Sequence, residues 1–288
     1  MEVNARTVRT LMGHKQVDVG LRCLGSLISY SSEPISLVVH DDGTLTSADR
    51  AKLSYGLEGV SILSRDEADS VVLPLLNRYP NCARYRRGHP LALKLIDTAL
   101  IETGDLAYCD SDILFLKPFT NLYSWPGGSG AAVFMQDSQE AYSLYPWHAH
   151  PLGKIKVPQR INSGLILFRS SEYDLDFLEW LLGQPQLEHV FEKRAHWIEQ
   201  TCWAALGRRV GCYVWSARQL LIANQKMDHV TDDTVGIHFV AAYRGNLNLF
   251  SEQDSMRPTD IQAVGINAAP ASSTSCFRLL AQDIKRRR

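Results

Sequence analysis

Asp110 and Asp112 flank one serine directly behind the apolar run Leu106-Ala107-Tyr108-Cys109. Residues two apart on an extended chain point to the same side, so this spacing brings two carboxylates together. Paired carboxylates are hard oxygen ligands, suited to Mg²⁺ or Mn²⁺ bridging a diphosphate. A solvated turn is the plainer reading of so short a motif. The apolar stretch Ile113-Leu114-Phe115-Leu116 that follows argues instead for a buried setting.

Other polar groups stand at the edges of apolar segments. Asn162-Ser163-Gly164 leads into Leu165-Ile166-Leu167-Phe168, and a glycine there permits close approach to the backbone. An ordinary loop-to-strand turn explains the same residues. His238 lies in the apolar run Gly236–Val240, either as a core histidine or as an imidazole ligand that favours Mn²⁺ over Mg²⁺. Arg244 follows closely, and its planar fork suits phosphate oxygens. Glu199-Gln200 reads equally well as the surface of a helix whose packing Trp197, Ile198 and Trp203 already explain.

The elements that must position these groups alternate between strand and helix, the pattern of a mainly parallel sheet covered by helices. In such folds ligands gather at the carboxyl ends of the strands. Strands are expected at Thr7–Met12, Ile35–Val39, Val60–Leu63, Leu106–Cys109, Ile113–Leu116, Ala131–Met135, Ser163–Phe168, Tyr213–Trp215 and Val235–Val240. Helices are expected at about Asp18–Tyr30, from Thr46 as N-cap with Asp49 completing a capping box, from Asp66 to a kink or stop at Pro74, after Pro90, near Asp174–Leu182 and over Leu187–Leu206. In the helix after Pro90, Lys94, Asp97 and Thr98 share one polar face. Tyr142–Pro158 reads as a long loop over the site. Ala268–Ser275 reads as a flexible joint to the basic end Lys285–Arg288, which divides the chain into a domain over 1–267 and a tail over 268–288.

Taken together, the motifs resemble family 8 of the glycosyltransferases, a retaining family with the GT-A fold. Its pattern is an apolar strand ending in Asp-x-Asp, an Asn-Ser-Gly or Asn-Ala-Gly strand, an acidic-Gln pair on a helix and a late His-x-x-Gly-x-x-Lys. This chain has Asp110/Asp112, Asn162-Ser163-Gly164, Glu199-Gln200 and His238-x-x-Ala241-x-x-Arg244 in that order. The resemblance runs from about Thr7 to Arg244. It implies an α/β, Rossmann-like GT-A fold with Asp-x-Asp at a strand end, and transfer of a sugar from a nucleotide-diphosphate donor, a UDP-sugar, with retention. Asp110, Asp112 and His238 would hold Mn²⁺ or Mg²⁺. Asn162, Glu199 and Gln200 would meet the donor sugar, and Lys94, Ser111 and Arg244 the donor's diphosphate and metal. An ion pair with Asp97 is the competing role for Lys94. Ala241 stands where the family has glycine, Gly245-Asn246 replaces Pro-Trp, and the first strand is atypical for nucleotide binding.

The bulk sequence narrows the alternatives. The 288 residues are 45% hydrophobic and carry a net charge of −1, which favours a large core and gives no reason to expect nucleic acid. Six scattered cysteines form no CxxC pair, which weakens zinc-ribbon and thioredoxin readings. No apolar run reaches the ~20 residues of a membrane span and no signal core opens the chain, so a cytoplasmic enzyme is expected. The basic end could touch an anionic membrane, as for a lipid-linked acceptor, while a glycan or a protein is the other acceptor class. His40-Asp41-Asp42-Gly43-Thr44 imitates a haloacid-dehalogenase phosphatase motif, but histidine replaces the nucleophilic aspartate. Sugar nucleotidyltransferases share the GT-A framework, yet Gly13-His14-Lys15 lacks their glycine-rich segment. A non-catalytic nucleotide- or glycan-binding protein on the same fold is the remaining alternative.

Overall fold

A run of capped helices and buried strands builds the molecule. The computed structural model describes residues 5–102, 104–145, 155–250 and 260–269. Strand β1 (Arg6–Met12) feeds α1 (Val17–Tyr30), which buries Val17, Gly20, Cys23, Leu24 and Leu27 at helical spacing. Gly20 packs closely here: a Cβ would stand 2.3 Å from Met12 Cε, so the methionine tip would have to move, and 3.5 Å from Ser111 Cβ. Strand β2 (Ile35–Asp41) leads to α2 (Ser47–Gly56), where Thr46 and Asp49 form the expected capping box. After β3 (Ser61–Leu63), α3 (Arg65–Leu75) starts from a second capping box, Ser64 with Glu67. Pro74 lies inside α3 and the chain then tightens into a 3₁₀ turn, Leu76–Arg78. Helices α4 (Pro80–Gly88) and α5 (Leu91–Ile101) follow.

Strand β4 (Leu106–Cys109) ends at the Asp110-Ser111-Asp112 turn, and β5 (Ile113–Phe115) and β6 (Phe119–Thr120) lie beyond it. The chain continues through β7 (Ala132–Gln136), β8 (Ile161–Phe168), α6 (Leu175–Leu182), α7 (Pro185–Lys193), α8 (Ile198–Val210), β9 (Cys212–Trp215), β10 (Leu220–Ile222) and β11 (Gly236–His238). A 3₁₀ segment over Ala241–Leu249, β12 (Gln262–Ala263) and β13 (Ile266–Ala268) complete the described chain. The single helix expected over Leu187–Leu206 is two, α7 and α8, joined through a 3₁₀ turn at Ala195–Trp197.

Eight strands form the main sheet in the order β13-β9-β7-β8-β4-β1-β2-β3. It is parallel from β3 through β4, and again between β7 and β9. Strand β8 runs antiparallel to both its neighbours, β4 and β7. All eight of its residues are buried. Ile166 and Phe168 enter the core on one face of the sheet and Leu165 and Leu167 that on the other, as the period of a strand requires. The inversion of β8 decides where the site lies. It sets the amino end of β8, with Asn162, beside the carboxyl end of β4, with Asp110. A small sheet, β10-β11-β5, crosses the same end and pairs His238 with Ile113.

Three expectations are corrected. Lys94, Asp97 and Thr98 share no exposed polar face. All three are buried, because α5 is covered by its helical neighbours. Asp97 pairs with Arg86, at 2.6 and 2.7 Å, and not with Lys94. Ala268, expected to open a flexible joint, still pairs with Tyr213 in β13. The centre of the Tyr142–Pro158 segment, most of Ala268–Ser275 and the basic end Lys285–Arg288 lie outside the described residues. Both described ends of Tyr142–Pro158 are anchored in the core: Tyr142 Oη donates to Pro158 O at 2.8 Å, and Ser143 N donates to Thr201 Oγ1 at 2.8 Å.

Candidate metal and donor site

The Asp110-Ser111-Asp112 turn is clamped by backbone from both flanking strands. Asp110 N donates to Gly164 O at 2.7 Å, and Phe239 N donates to Asp112 O at 2.9 Å. Both aspartates thus meet His238, whose Nε2 lies 3.1 Å from Asp112 Oδ1 and 3.5 Å from Asp110 Oδ2. One ligand atom from each of the three lies within 4.8 Å of the others. An octahedral ion with bonds of ~2.1 Å has its farthest ligands ~4.2 Å apart, so small side-chain adjustments close this set on one ion. Two carboxylates with one imidazole form a donor set able to hold a divalent cation. Asp112 and His238 are buried, and burial is tolerable only because each has partners.

Two cations complete the cluster. Lys94 Nζ sits 3.0 Å from both carboxylate oxygens of Asp110, above the Tyr108 ring and 3.6 Å from Glu199. Arg244 Nε donates to Asp112 Oδ2 at 2.8 Å, with about half of its side chain exposed. Burial alone would raise the Asp112 carboxyl. The adjacent His238 and Arg244 outweigh it and hold the group at about 2. Burial pushes His238 down, but Asp112 and Asp110 more than reverse this and its pKa is raised. Ser111, the buried centre of the turn, faces α1 at Gly20.

Helix α8 presents Glu199 and Gln200 to this cluster, and both are buried, so they are no helix surface. Glu199 Oε2 accepts from Ser163 Oγ at 3.0 Å, while its Oε1 lies 3.6 Å from Lys94 Nζ and accepts no hydrogen bond from the described residues. Burial is the main force raising the Glu199 carboxyl to about 7, opposed by Lys94 and assisted by Asp110. Gln200 Nε2 donates to Ala141 O at 2.9 Å, and its Oε1 accepts from Ser163 N at 3.3 Å. Asn162 Oδ1 accepts from Gly164 N at 2.9 Å and lies 3.1 Å from His238 Nδ1. The Asn-Ser-Gly segment is therefore part of the strand, and each of its residues meets a site group.

The structure thus brings together Lys94, Asp110, Asp112, Asn162, Glu199, Gln200, His238 and Arg244. It adds residues that motif reading missed. Tyr108 Oη accepts from Leu11 N at 3.2 Å and donates to Asp110 Oδ1 at 2.8 Å, tying the first strand to the metal pair. Its place two residues before Asp110 was a usable signal. Asp137, buried just past β7, accepts from Asn162 Nδ2 at 3.1 Å. It too is a carboxylate behind an apolar strand, the same signature that singled out Asp110. By contrast, Asp41 and Asp42 form a turn. Asp41 accepts from Gly43 N and Leu45 N and pairs with Arg50, and Asp42 accepts from Thr44.

No protein-family model and no curated protein matches the sequence. Solved structures match the fold. The galactosyltransferase LgtC, in complex with donor and acceptor sugar analogs, is 14% identical over 86% of this chain and 98% of its own, with a TM-score of 0.51. Mouse xyloside xylosyltransferase 1 in its apo form is 12% identical over 82% of this chain and 97% of its own, with a TM-score of 0.53. At such identity the likeness is one of architecture, and the architecture of this chain is the GT-A fold of glycosyltransferases.

Proposed function

We propose that this protein is a glycosyltransferase that uses a divalent cation to move a sugar from a nucleotide-diphosphate donor, a UDP-sugar, to a glycan, lipid-linked or protein acceptor. The observation that carries the reading is the convergence of Asp110, Asp112 and His238 on one point of a GT-A fold, with Arg244 and Lys94 against the two carboxylates. Asp110, Asp112 and His238 would hold the ion, with Mn²⁺ favoured by the imidazole. An ion held there would supply stabilisation of negative charge on a departing diphosphate. Half-exposed Arg244 supplies a further cation on the same side. On the sugar side, Glu199 Oε1 faces Lys94 Nζ at 3.6 Å without accepting a hydrogen bond from the described residues, and is a buried acceptor suited to a donor hydroxyl. One lone pair of Gln200 Oε1 remains beyond its bond from Ser163 N.

The amide of Gln200 is a poor base, which supports retention of the anomeric configuration: the acceptor then attacks from the leaving-group side, and the diphosphate oxygen takes its proton. A thermal-shift screen of nucleotide diphosphates and nucleotide sugars, with and without Mn²⁺, tests donor binding. Matching ligands raise the melting temperature only when Mn²⁺ is present. No shift with any of them would sink the proposal. NMR of the linkage made from an α-linked donor tests the stereochemistry, with an α-product expected. A β-product would point to an unidentified base.

A further inference from the structure

His238 can serve a cation through Nε2 only if its proton stays on Nδ1. The group facing Nδ1 is Asn162 Oδ1, at 3.1 Å. An amide presents either an acceptor or a donor depending on which way it is turned, and the wrong orientation would put an N–H against the ring. Two neighbours settle the orientation. Gly164 N–H can only donate, and it meets Asn162 Oδ1 at 2.9 Å. The Asp137 carboxylate accepts, and it meets Asn162 Nδ2 at 3.1 Å. Asp137 is itself held by Gln139 N, at 3.0 Å from Oδ1, and its own N–H donates to Arg160 O at 2.6 Å. Asp137, Asn162 and His238 are each more than nine-tenths buried, so water offers no easy substitute for any link.

We infer that Asp137 is a positioning residue: its carboxylate orients the Asn162 amide, which keeps the proton of His238 on Nδ1 and leaves Nε2 to face Asp110 and Asp112. Metal-binding histidines generally depend on a partner of this kind at the second nitrogen. Here the partner is a neutral amide, and the charge that fixes it stands one residue further out, on β7's exit. The inference deepens the proposed metal site and rests on that reading only for its functional meaning. In the metal-free protein Nε2 also carries a proton, toward Asp112 Oδ1 at 3.1 Å, and the Nδ1 proton held by Asn162 is the one that would remain when a cation takes Nε2.

The test uses the full chain and two readouts. The first is the His238 Nδ1–H resonance in ¹⁵N-labelled, metal-free protein, slow to exchange because it is buried and hydrogen-bonded. The second is the affinity for Mn²⁺ alone, from electron paramagnetic resonance titration. In Asp137→Asn the resonance broadens or vanishes, and Mn²⁺ binding weakens about tenfold. In the double variant Asp137→Asn with Asn162→Asp, the carboxylate faces His238 directly and the amide stands behind it. The resonance returns and affinity recovers to within about twofold of wild type. This exchange guards against a trivial loss of fold in the single variant, since a swap that merely damages packing does not restore either signal. An unchanged resonance in Asp137→Asn, or a double variant no better than the single, overturns the relay. If wild-type protein shows the resonance and its Asp137 dependence but binds no Mn²⁺, the relay stands and the metal reading falls.

Discussion

His238 is a lone histidine in an apolar strand until its neighbours are known. In the structure it has an aspartate on one nitrogen and an amide on the other. Its raised pKa means that a proton holds the site firmly when no cation is present. A ligand imidazole must be neutral, so protons and metal compete. Mn²⁺ affinity should therefore fall as pH drops, starting above the ordinary histidine value of about 6.5. Titration at pH 6, 7 and 8 checks this, and a flat profile would remove His238 from the ligand set. Asp112→Asn and His238→Ala should each abolish most Mn²⁺ binding while leaving a cooperative melt. His40 and Asp42 carry the opposite expectation. With His40 in place of the nucleophilic aspartate, this turn should hydrolyse no phosphomonoester, and Mg²⁺-dependent phosphatase activity lost in Asp42→Asn would contradict the assigned roles.

Strand β8 shows why an element, and not a residue, makes the site. A Cβ at Gly164 would stand 2.4 Å from both Cε1 and Nδ1 of His238, ring atoms that cannot fold aside. Gly164→Ala should displace the ring from the aspartates and weaken Mn²⁺ binding by about tenfold or more. Unchanged affinity with a normal melt would show that β11 can retreat. At α2, Thr46→Ala removes a capping box and should cost about 1 kcal/mol in a urea titration. Such local signals were legible in the sequence: the Thr46 cap, the apolar strand before Asp110, and the turn residues after β2. The antiparallel course of β8 was not, because a run buried on both faces reads alike in either direction. Lys94 and Asp97 were misread for a related reason. Polar residues at i and i+3 look like a solvated face unless their partners, Asp110 and Arg86, are known from across the fold.

At the scale of the whole molecule, two cores lie on opposite faces of one sheet, and their charged groups are matched in pairs set by topology. Arg9 on β1 is buried with Glu102 at 2.8 Å and donates to His40 Nε2 on β2 at 2.9 Å. A guanidinium can only donate, so His40 accepts as a neutral imidazole. Burial first, and Arg9 second, lower its pKa to about 3. Because the folded value is depressed, the unfolded chain binds the extra proton between about 6.5 and 3. The stabilisation is complete above 6.5 and is lost as pH falls through that window, with a slope of up to about 1.4 kcal/mol per pH unit from this one group. Carboxylates contribute to acid unfolding as well, so a paired comparison is needed. His40→Gln keeps an oxygen acceptor for Arg9 and removes the titration. Urea unfolding from pH 8 to pH 4 should show the wild type losing stability more steeply than His40→Gln below pH 6.5, with parallel behaviour above it. Identical slopes for the two proteins would mean that His40 takes up its proton without disturbing the β1–β2 pairing, and that acid sensitivity of the fold lies in the carboxylates alone.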